Sequence, residues 1–374
     1  MNRCARPFTT EASDPLLPPD PDLPVSKPYP APGLPAIQGR LAQLLPHLDA
    51  SALEGKTLFI TGGTGFFGYW LLCLLDLLQQ RGHRFHARLL SRDPSRFQAV
   101  APFFAALPWI DFVTGDARHF TDARPADLLI HAATDTHAQA HTRPLAIMDD
   151  VLLGTRNTLE QARAQGVKRA LFVSSGAVYG PAARAASHTP ETTPLQRSLE
   201  QPDPYGEAKA TAELWSQHFG AAHGLSIPVA RCFAFVGAGL DLDGHFAIGN
   251  FIRDGLAGQG VRVQGDGTPV RSYLYGADLA VWLLQLLLRG EHGRAYNVGS
   301  DQAITIEQLA HQVNSLLSPD QAVTLARQPV DNPLRSCYVP AIERARQELQ
   351  LDVWTPLAQA IAGTADPSKP LAQD

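Results

Sequence analysis

Tyr205 and Lys209, in the run YGEAK, are the two residues of this sequence best spaced to move a proton. Four apart on a helix, they share one face. A phenol is a poor base at neutral pH, and an ammonium beside it favours the phenolate. Lowering the phenol's pKa by about three units corresponds to roughly 4 kcal/mol. One close charge in a low-dielectric cleft can supply that. A serine hydroxyl would bind and orient the substrate oxygen, and SSGAVYG at 174–180 carries two, Ser174 and Ser175. A tyrosine and a lysine on the surface of an amphipathic helix share this spacing, so the pair needs a setting.

That setting is KTLFITGGTGFFG at 56–68. Residues 57–60 form an apolar run long enough for one buried strand, and a leucine-rich helical pattern follows from Tyr69. Strand, glycine turn and helix in that order form a dinucleotide cradle. Gly62 permits the tight turn, Gly65 lets the backbone approach a pyrophosphate, and Gly68 lets helix and strand pack closely. The helix start at Phe66 and Phe67 offers free N–H groups and the positive end of its dipole to phosphates. The positive nicotinamide ring of such a cofactor would further favour the Tyr205 phenolate.

The elements that must position these groups alternate. Strand patterns lie at 85–90, 110–113, 127–131 and 169–173, and a helix pattern at 144–165 ends at Gly166. This is the pattern of a doubly wound parallel α/β sheet, whose ligands bind at the carboxyl ends of the strands. The second strand ends in Ser91-Arg92-Asp93. The position where an acid would bind a ribose 2′-hydroxyl is Ser91, with Arg92 next, which favours NADP over NAD. In a shifted register Asp93 is the ribose acid and the cofactor is NAD. Ala132 and Ala133, at the fourth strand's end, are small enough for a flat cofactor to lie on the backbone.

TGGTGFFG, SSGAVYG and YGEAK, in that order, resemble the extended short-chain dehydrogenase/reductase superfamily. RCFAFVG at 231–237, GDGTPVRSYLY at 265–275 and YNVGS at 296–300 extend the resemblance to its nucleotide-sugar branch of epimerases, 4,6-dehydratases, decarboxylases and 4-ketoreductases. The resemblance covers about residues 56–362. It implies a Rossmann-type fold with a smaller, interleaved C-terminal substrate lobe. The cofactor lobe would comprise 40–237 and 268–290, and the sugar lobe 238–267 and 291–362, with 363–374 as a tail. It makes Tyr205 the acid/base, Lys209 the residue that holds the ribose and tunes Tyr205, and Ser175 rather than Ser174 the catalytic serine. Gly62, Gly65 and Gly68 bind the pyrophosphate and Asp116 sits near the adenine. Arg271 and Arg335 grip the nucleotide diphosphate, as bidentate arginines suit phosphate oxygens. Thr134 and Asn250 are further substrate contacts. The implied partner is a nucleotide-diphosphate sugar and the implied assembly a homodimer built through a helix bundle.

The sequence departs from that pattern twice. The Asp-Glu pair that 4,6-dehydratases carry after the catalytic residue is Gly176-Ala177 here, and neither can move a proton. Glu191, His137 and His245 are the nearest substitutes. The asparagine usual after R-x-F is Ala234. Hydride transfer at the sugar's 4-position remains. A 4-keto-sugar reductase using NADPH is the first reading and a 4-epimerase with retained NAD the second. A non-catalytic cofactor sensor on the same fold would have no need of a tuned phenol.

Composition agrees. A net charge of −5 and a pI near 6.2 give no support for nucleic-acid or membrane-surface binding. The four cysteines show no metal-ligand spacing and read as buried or incidental thiols, so no metal is expected. The greasiest run, 70–78, is interrupted by Asp76 and too short for a bilayer. No signal-peptide core is evident, and the expected location is cytoplasmic. Ten prolines in residues 1–39 predict an extended arm, with a short helix at 40–48 leading into the first strand.

Overall fold

The computed structural model describes residues 34–134, 142–180, 187–200, 202–327 and 336–368. Its centre is a seven-stranded sheet. In chain order the first six strands are β1 (Thr57–Thr61), β2 (His86–Ser91), β3 (Ile110–Thr114), β4 (Leu128–His131), β5 (Arg169–Ser175) and β6 (Val229–Cys232). The seventh is Ala295–Val298. Across the sheet they run Ala295–Val298, β6, β5, β4, β1, β2, β3. Every pairing is parallel. The order reverses between β1 and β4, where Thr61 lies opposite His131. This is the topological switch point at which doubly wound sheets bind ligands.

Helix α2 (Phe66–Gln80) and the helix Gly276–Arg289 cover one face and are apolar nearly all round, as helices buried on several sides must be. Trp70 of α2 is wholly buried, and its Nε1 donates to the Ala238 carbonyl at 3.1 Å. A Cβ at Gly276 would lie 2.1 Å from the Trp70 ring, so the helix needs glycine there. On the other face the helices Pro144–Gln165 and Pro204–His223 lie side by side.

Two boundaries differ from the sequence-based expectation. Helix α1 runs Leu34–Leu44 and so starts inside the proline-rich stretch. Its Leu34, Ile37, Leu41 and Leu44 lie at helical spacing, and Ile37 and Leu41 are fully buried. Ala295–Val298 belongs to the cofactor sheet and not to the smaller lobe, because it pairs with β6 and buries Tyr296 and Val298 completely. The returning strand Leu274–Tyr275 pairs instead with Phe235–Val236.

The smaller lobe contains the helices Ala247–Leu256 and Ile306–Leu317 and a three-stranded sheet of Ile304–Thr305, Val270–Arg271 and Cys337–Tyr338. Buried Asp278 ties the chain's end to the larger lobe: it accepts from the N–H groups of Trp354 and Thr355, both at 3.0 Å. Among the described residues, no helix is long and apolar enough to cross a membrane, and no cluster of side chains could hold a metal.

Candidate active site

The glycine loop is shaped for a pyrophosphate. Gly62 has φ +73°, and a Cβ on it would come within 2.5 Å of the Ala132 carbonyl oxygen. The loop therefore presses on Ala132 and Ala133 at the end of β4, and the Ala133 N–H donates to Thr61 Oγ1 at 3.3 Å. A Cβ at Gly68 would meet the Gly63 backbone at 2.1 Å, so helix α2 abuts the loop with no room for a side chain. Gly65 instead borders open space: a Cβ there would have the Gly62 carbonyl oxygen as its nearest neighbour, at 3.6 Å. Gly65 is the N-cap of α2 and contributes no side chain, so no capping side-chain bond occupies the first-turn N–H groups around Phe66 and Phe67. A loop with no room for a Cβ at Gly62 or Gly68 and open space at Gly65, over an uncapped helix start, fits a dinucleotide pyrophosphate.

Ser175, Tyr205 and Lys209 come together at the end of β5. Ser175 ends that strand, and its Oγ accepts from the Ala177 N–H at 3.2 Å, which fixes the turn Gly176–Tyr179. Asp203 caps the helix Pro204–His223 by accepting from the Gly206 N–H at 3.0 Å. Pro204 presets the first helical residue, so Tyr205 enters the site from a rigid helix start. The Tyr205 and Ser175 hydroxyls are hydrogen-bonded, and burial pushes the phenol up to about 12. Lys209 is buried, and its Nζ donates to Thr134 Oγ1 at 2.9 Å and to the Val173 carbonyl at 2.8 Å. Burial pulls this ammonium down to about 8, against the opposing pull of Cys232 and Glu213.

Lys209 Nζ stands 6.0 Å from the centre of the Tyr205 ring, while its hydrogen bonds go to Thr134 and the Val173 carbonyl. Burial dominates, and Tyr205 stands here as a neutral phenol.

A charged brace lies beneath. Glu213, one turn beyond Lys209, takes Arg231 of β6 in a bidentate pair, with Nη2 to Oε2 at 2.7 Å and Nε to Oε1 at 3.1 Å. Ser174 Oγ donates to Glu213 Oε1 at 2.6 Å. Arg231 Nη1 donates to the Tyr179 hydroxyl at 3.0 Å, and that hydroxyl donates to Asn297 Oδ1 at 2.7 Å. Ser174, the serine not assigned to catalysis, thus belongs to a buried network joining β5, β6 and the tyrosine helix.

The profile described as the NAD dependent epimerase/dehydratase family matches residues 58–299, more than half of the chain. The chain belongs to that family. UDP-glucuronic acid decarboxylase 6 of Arabidopsis thaliana is 29% identical over 210 residues, which are 55% of this chain and 59% of that protein. The chain therefore spans about three fifths of that relative's length. UDP-glucuronic acid decarboxylase 1 of Danio rerio is 25% identical over 331 residues, 84% of this chain and 73% of that protein. The fold is shared with UDP-glucose 4-epimerase of Thermotoga maritima, at TM-score 0.69, 22% identity, and coverage of 83% of this chain and 98% of that one. It is also shared with the dTDP-glucose 4,6-dehydratase DesIV of Streptomyces venezuelae, solved with NAD and TYD bound, at TM-score 0.69, 24% identity, and coverage of 83% and 96%.

Around the cradle of this family member, Ser91 closes β2, and its Oγ lies 3.4 Å from Thr64 Oγ1. Arg92 is exposed. Asp93 caps the next helix by accepting from the Arg96 N–H at 3.0 Å and from Ser95 Oγ. Asp116 lies just beyond β3, where Arg118 holds both its oxygens at 2.9 Å and keeps its carboxyl below the usual range against the opposing effect of burial.

On the substrate side Arg271 is half-buried, and its Nη1 donates to the Val270 and Ser336 carbonyls at 2.8 and 3.0 Å. The Asn250 amide donates to the Leu242 and Gly244 carbonyls, both at 2.9 Å, and so pins the loop ahead of its own helix. Thr134 faces Lys209. Arg335 and His137 lie outside the described residues. The Glu191 carboxylate accepts from the Asn297 N–H at 2.9 Å, and exposed His245 lies against Phe246 with ring centres 4.0 Å apart and planes tilted by 38°.

The sequence reading passed over three residues beside the site. Glu213 follows Lys209 by four and repeats the face of Tyr205 and Lys209, a legible signal. Phe233 and Tyr338 close over Gly176 from other elements, and only Tyr338's place three residues after Arg335 pointed to it.

Proposed function

We propose that this protein transfers hydride at the 4-position of a nucleotide-activated sugar, in the first instance as a 4-keto-sugar reductase. The observation that carries this reading is an assembled Ser175, Tyr205 and Lys209 set followed by Gly176-Ala177, where no side chain can remove a proton from the sugar's far side. Glu191 is engaged with the Asn297 backbone and exposed His245 lies against Phe246, so neither substitutes for an acid there.

The nicotinamide cofactor supplies the hydride when bound. Gly62, Gly65, Gly68 and the N–H groups at Phe66 and Phe67 hold its pyrophosphate. Ser175 donates to the substrate oxygen and orients it. Tyr205, neutral at pH 7, gives its proton to that oxygen as the carbonyl becomes an alcohol. Lys209 keeps a positive charge below the phenol and steadies the phenolate that remains. Arg271 faces the diphosphate.

NADP is the preferred cofactor in this reading. Asp93 is committed to capping its helix, which leaves the hydroxyls of Ser91 and Thr64 and the exposed Arg92 at the ribose end. A 4-epimerase that retains NAD is the second reading, favoured by the NAD dependence named for the family. We further propose a homodimer formed through the helices Pro144–Gln165 and Pro204–His223, which expose Leu153, Leu214 and Trp215.

The test is to release and identify the cofactor of the purified protein, then titrate the emptied protein with NADPH and NADH. An empty protein preferring NADPH, active on a panel of nucleotide 4-keto sugars, supports the reductase. Tightly retained NAD, with 4-epimer formation from nucleotide hexoses, replaces it with the epimerase.

A further inference from the structure

Helix α1 lies outside residues 58–299, which the family profile matches, and so does the helix Leu357–Ala365. Between them they touch both lobes. Helix α1 packs on α2 and on Gly276–Arg289 of the cofactor lobe. Its Ile37 and Leu41 are fully buried there. Gln38 Nε2 donates to Asp76 Oδ2 at 2.7 Å, which gives the one acid in the apolar run of α2 a partner. The helix Leu357–Ala365 packs instead on Ala247–Leu256 and Ile306–Leu317 of the smaller lobe.

Two contacts join these segments. Arg40 of α1 is only 4% exposed, and a buried guanidinium needs partners for its N–H groups. Its Nη1 donates to the Tyr275 hydroxyl and, at 3.5 Å, to the Gly363 carbonyl. A Cβ on Gly363 would lie 2.3 Å from that Nη1 and 2.9 Å from the Tyr275 oxygen, so the glycine leaves the space that the guanidinium fills. Further along, His47 stacks on Trp354 with ring centres 4.6 Å apart at 16°, and the Trp354 N–H is held in turn by Asp278. Tyr275 and Asp278 share the first turn of Gly276–Arg289. Arg271, four residues before Tyr275, belongs to the smaller lobe's three-stranded sheet. Both contacts therefore close on the stretch 271–278, where the backbone passes from the smaller lobe's sheet into a helix of the cofactor lobe.

We propose that segment 34–47 is a clasp that holds the smaller lobe against the cofactor lobe, with Arg40 as a positioning residue for the nucleotide end of the substrate. The proposal takes its ligand from the nucleotide-sugar reading and goes beyond it. Arg40 never touches that ligand. It fixes Tyr275 and the helix Leu357–Ala365 relative to α2, and so fixes the stretch that carries Arg271. The cofactor's pyrophosphate loop and β1 lie on the other side of this joint and do not depend on it.

The experiment compares wild type with Arg40→Met, Gly363→Ala and His47→Ala. Hydrogen exchange follows the backbone amides, and calorimetry follows the binding of UDP, dTDP, GDP and NAD(P). Arg40→Met is expected to speed exchange about tenfold in Ala247–Leu256, Ile306–Leu317 and Leu357–Ala365 and to leave β1, β4 and β5 unchanged. Nucleoside diphosphate binding should weaken about tenfold, with NAD(P) bound within about twofold of wild type. Gly363→Ala, which must displace the guanidinium, should do the same, and it carries the test if Arg40→Met does not fold. Alanine is the better helix former, so a loss in that variant does not come from a weaker helix. His47→Ala should give a smaller change of the same kind. Faster exchange throughout the sheet, or diphosphate and cofactor weakened together, would make Arg40 a general stabiliser and overturns the proposal. So does wild-type exchange in those three helices, or wild-type diphosphate affinity. If wild type itself binds none of the three diphosphates, the nucleotide-sugar reading falls and takes the positioning role of Arg40 with it, while the exchange pattern decides the clasp.

Discussion

Lys209 lies one helical turn beyond Tyr205, and its Nζ stands 6.0 Å from the centre of the phenol ring. The two share a helix face without sharing a hydrogen bond: Tyr205 bonds to Ser175, and Lys209 to Thr134 and the Val173 carbonyl. Proton donor and fixed charge are therefore separate parts, and separate substitutions can test them.

Replacing Tyr205 by Phe removes the proton donor and keeps the ring. Turnover should fall by about 10²–10⁴-fold, the usual range for a positioned acid or base. Cofactor affinity, measured by fluorescence titration, should stay within about twofold. Unchanged turnover would remove Tyr205 from the mechanism.

The pH dependence should follow Lys209. Its ammonium, pulled down to about 8 by burial, is charged below that pH and loses its charge above it. Because kcat/KM reports the free enzyme, it should be level on the acid side of about 8 and fall as pH rises through that value. Tyr205, pushed up to about 12, keeps its proton throughout that range. Lys209→Met should show low activity with no inflection near 8.

The Arg231–Glu213 pair is buried, with side chains only 9% and 10% exposed. Glu213→Gln or Arg231→Met leaves one charge buried without its partner and should cost about 3–5 kcal/mol of stability, measured by urea denaturation. Ser174→Ala removes only a neutral donor to the same carboxylate and should cost about 1–3 kcal/mol.

Gly62→Ala combines a φ of +73° with a Cβ 2.5 Å from the Ala132 oxygen. The loop must shift away from β4, and NAD(P) affinity should drop at least tenfold, about 1–3 kcal/mol as for other overpacked sites. Gly65→Ala faces open space in the protein alone. Its loss should therefore appear in cofactor binding and not in the melting temperature of the cofactor-free protein.

Leu214 and Trp215 are 55% and 45% exposed on the tyrosine helix. Leu214→Arg together with Trp215→Arg should turn a dimer into a monomer by light scattering and leave the sheet's circular dichroism unchanged. A monomeric wild-type protein would overturn the proposed assembly.

Much of this was legible because punctuation residues sit at the element ends. Pro144 and Gly166 bound a helix whose limits, Pro144–Gln165, match the pattern read from sequence. The glycine turn could be placed because strand and helix patterns flank it directly. What stayed hidden depends on partners far apart in sequence. Thr134, 75 residues before Lys209, accepts a hydrogen bond from its ammonium, a contact that helix spacing does not disclose. Arg231 meets Glu213 across a helix–strand contact that no local pattern records. The run YNVGS carries a family resemblance, but nothing in its residues says which sheet the strand Ala295–Val298 joins. Proline-rich composition concealed the start of α1, although the apolar spacing of Leu34, Ile37 and Leu41 was present.

That late strand has a consequence for how the protein is made. β6 is complete by Cys232, but its second partner, Ala295–Val298, is synthesised more than sixty residues later. At about 5–20 residues per second, the nascent chain waits several seconds with β6 unpaired on one side. An unpaired strand is a template for pairing with other chains. Fragments ending between Gly237 and Arg294 should therefore aggregate, while those extended past Val298 should not. The glycine cradle is in place early in translation, but the sheet that holds it rigid closes only when this last strand leaves the ribosome.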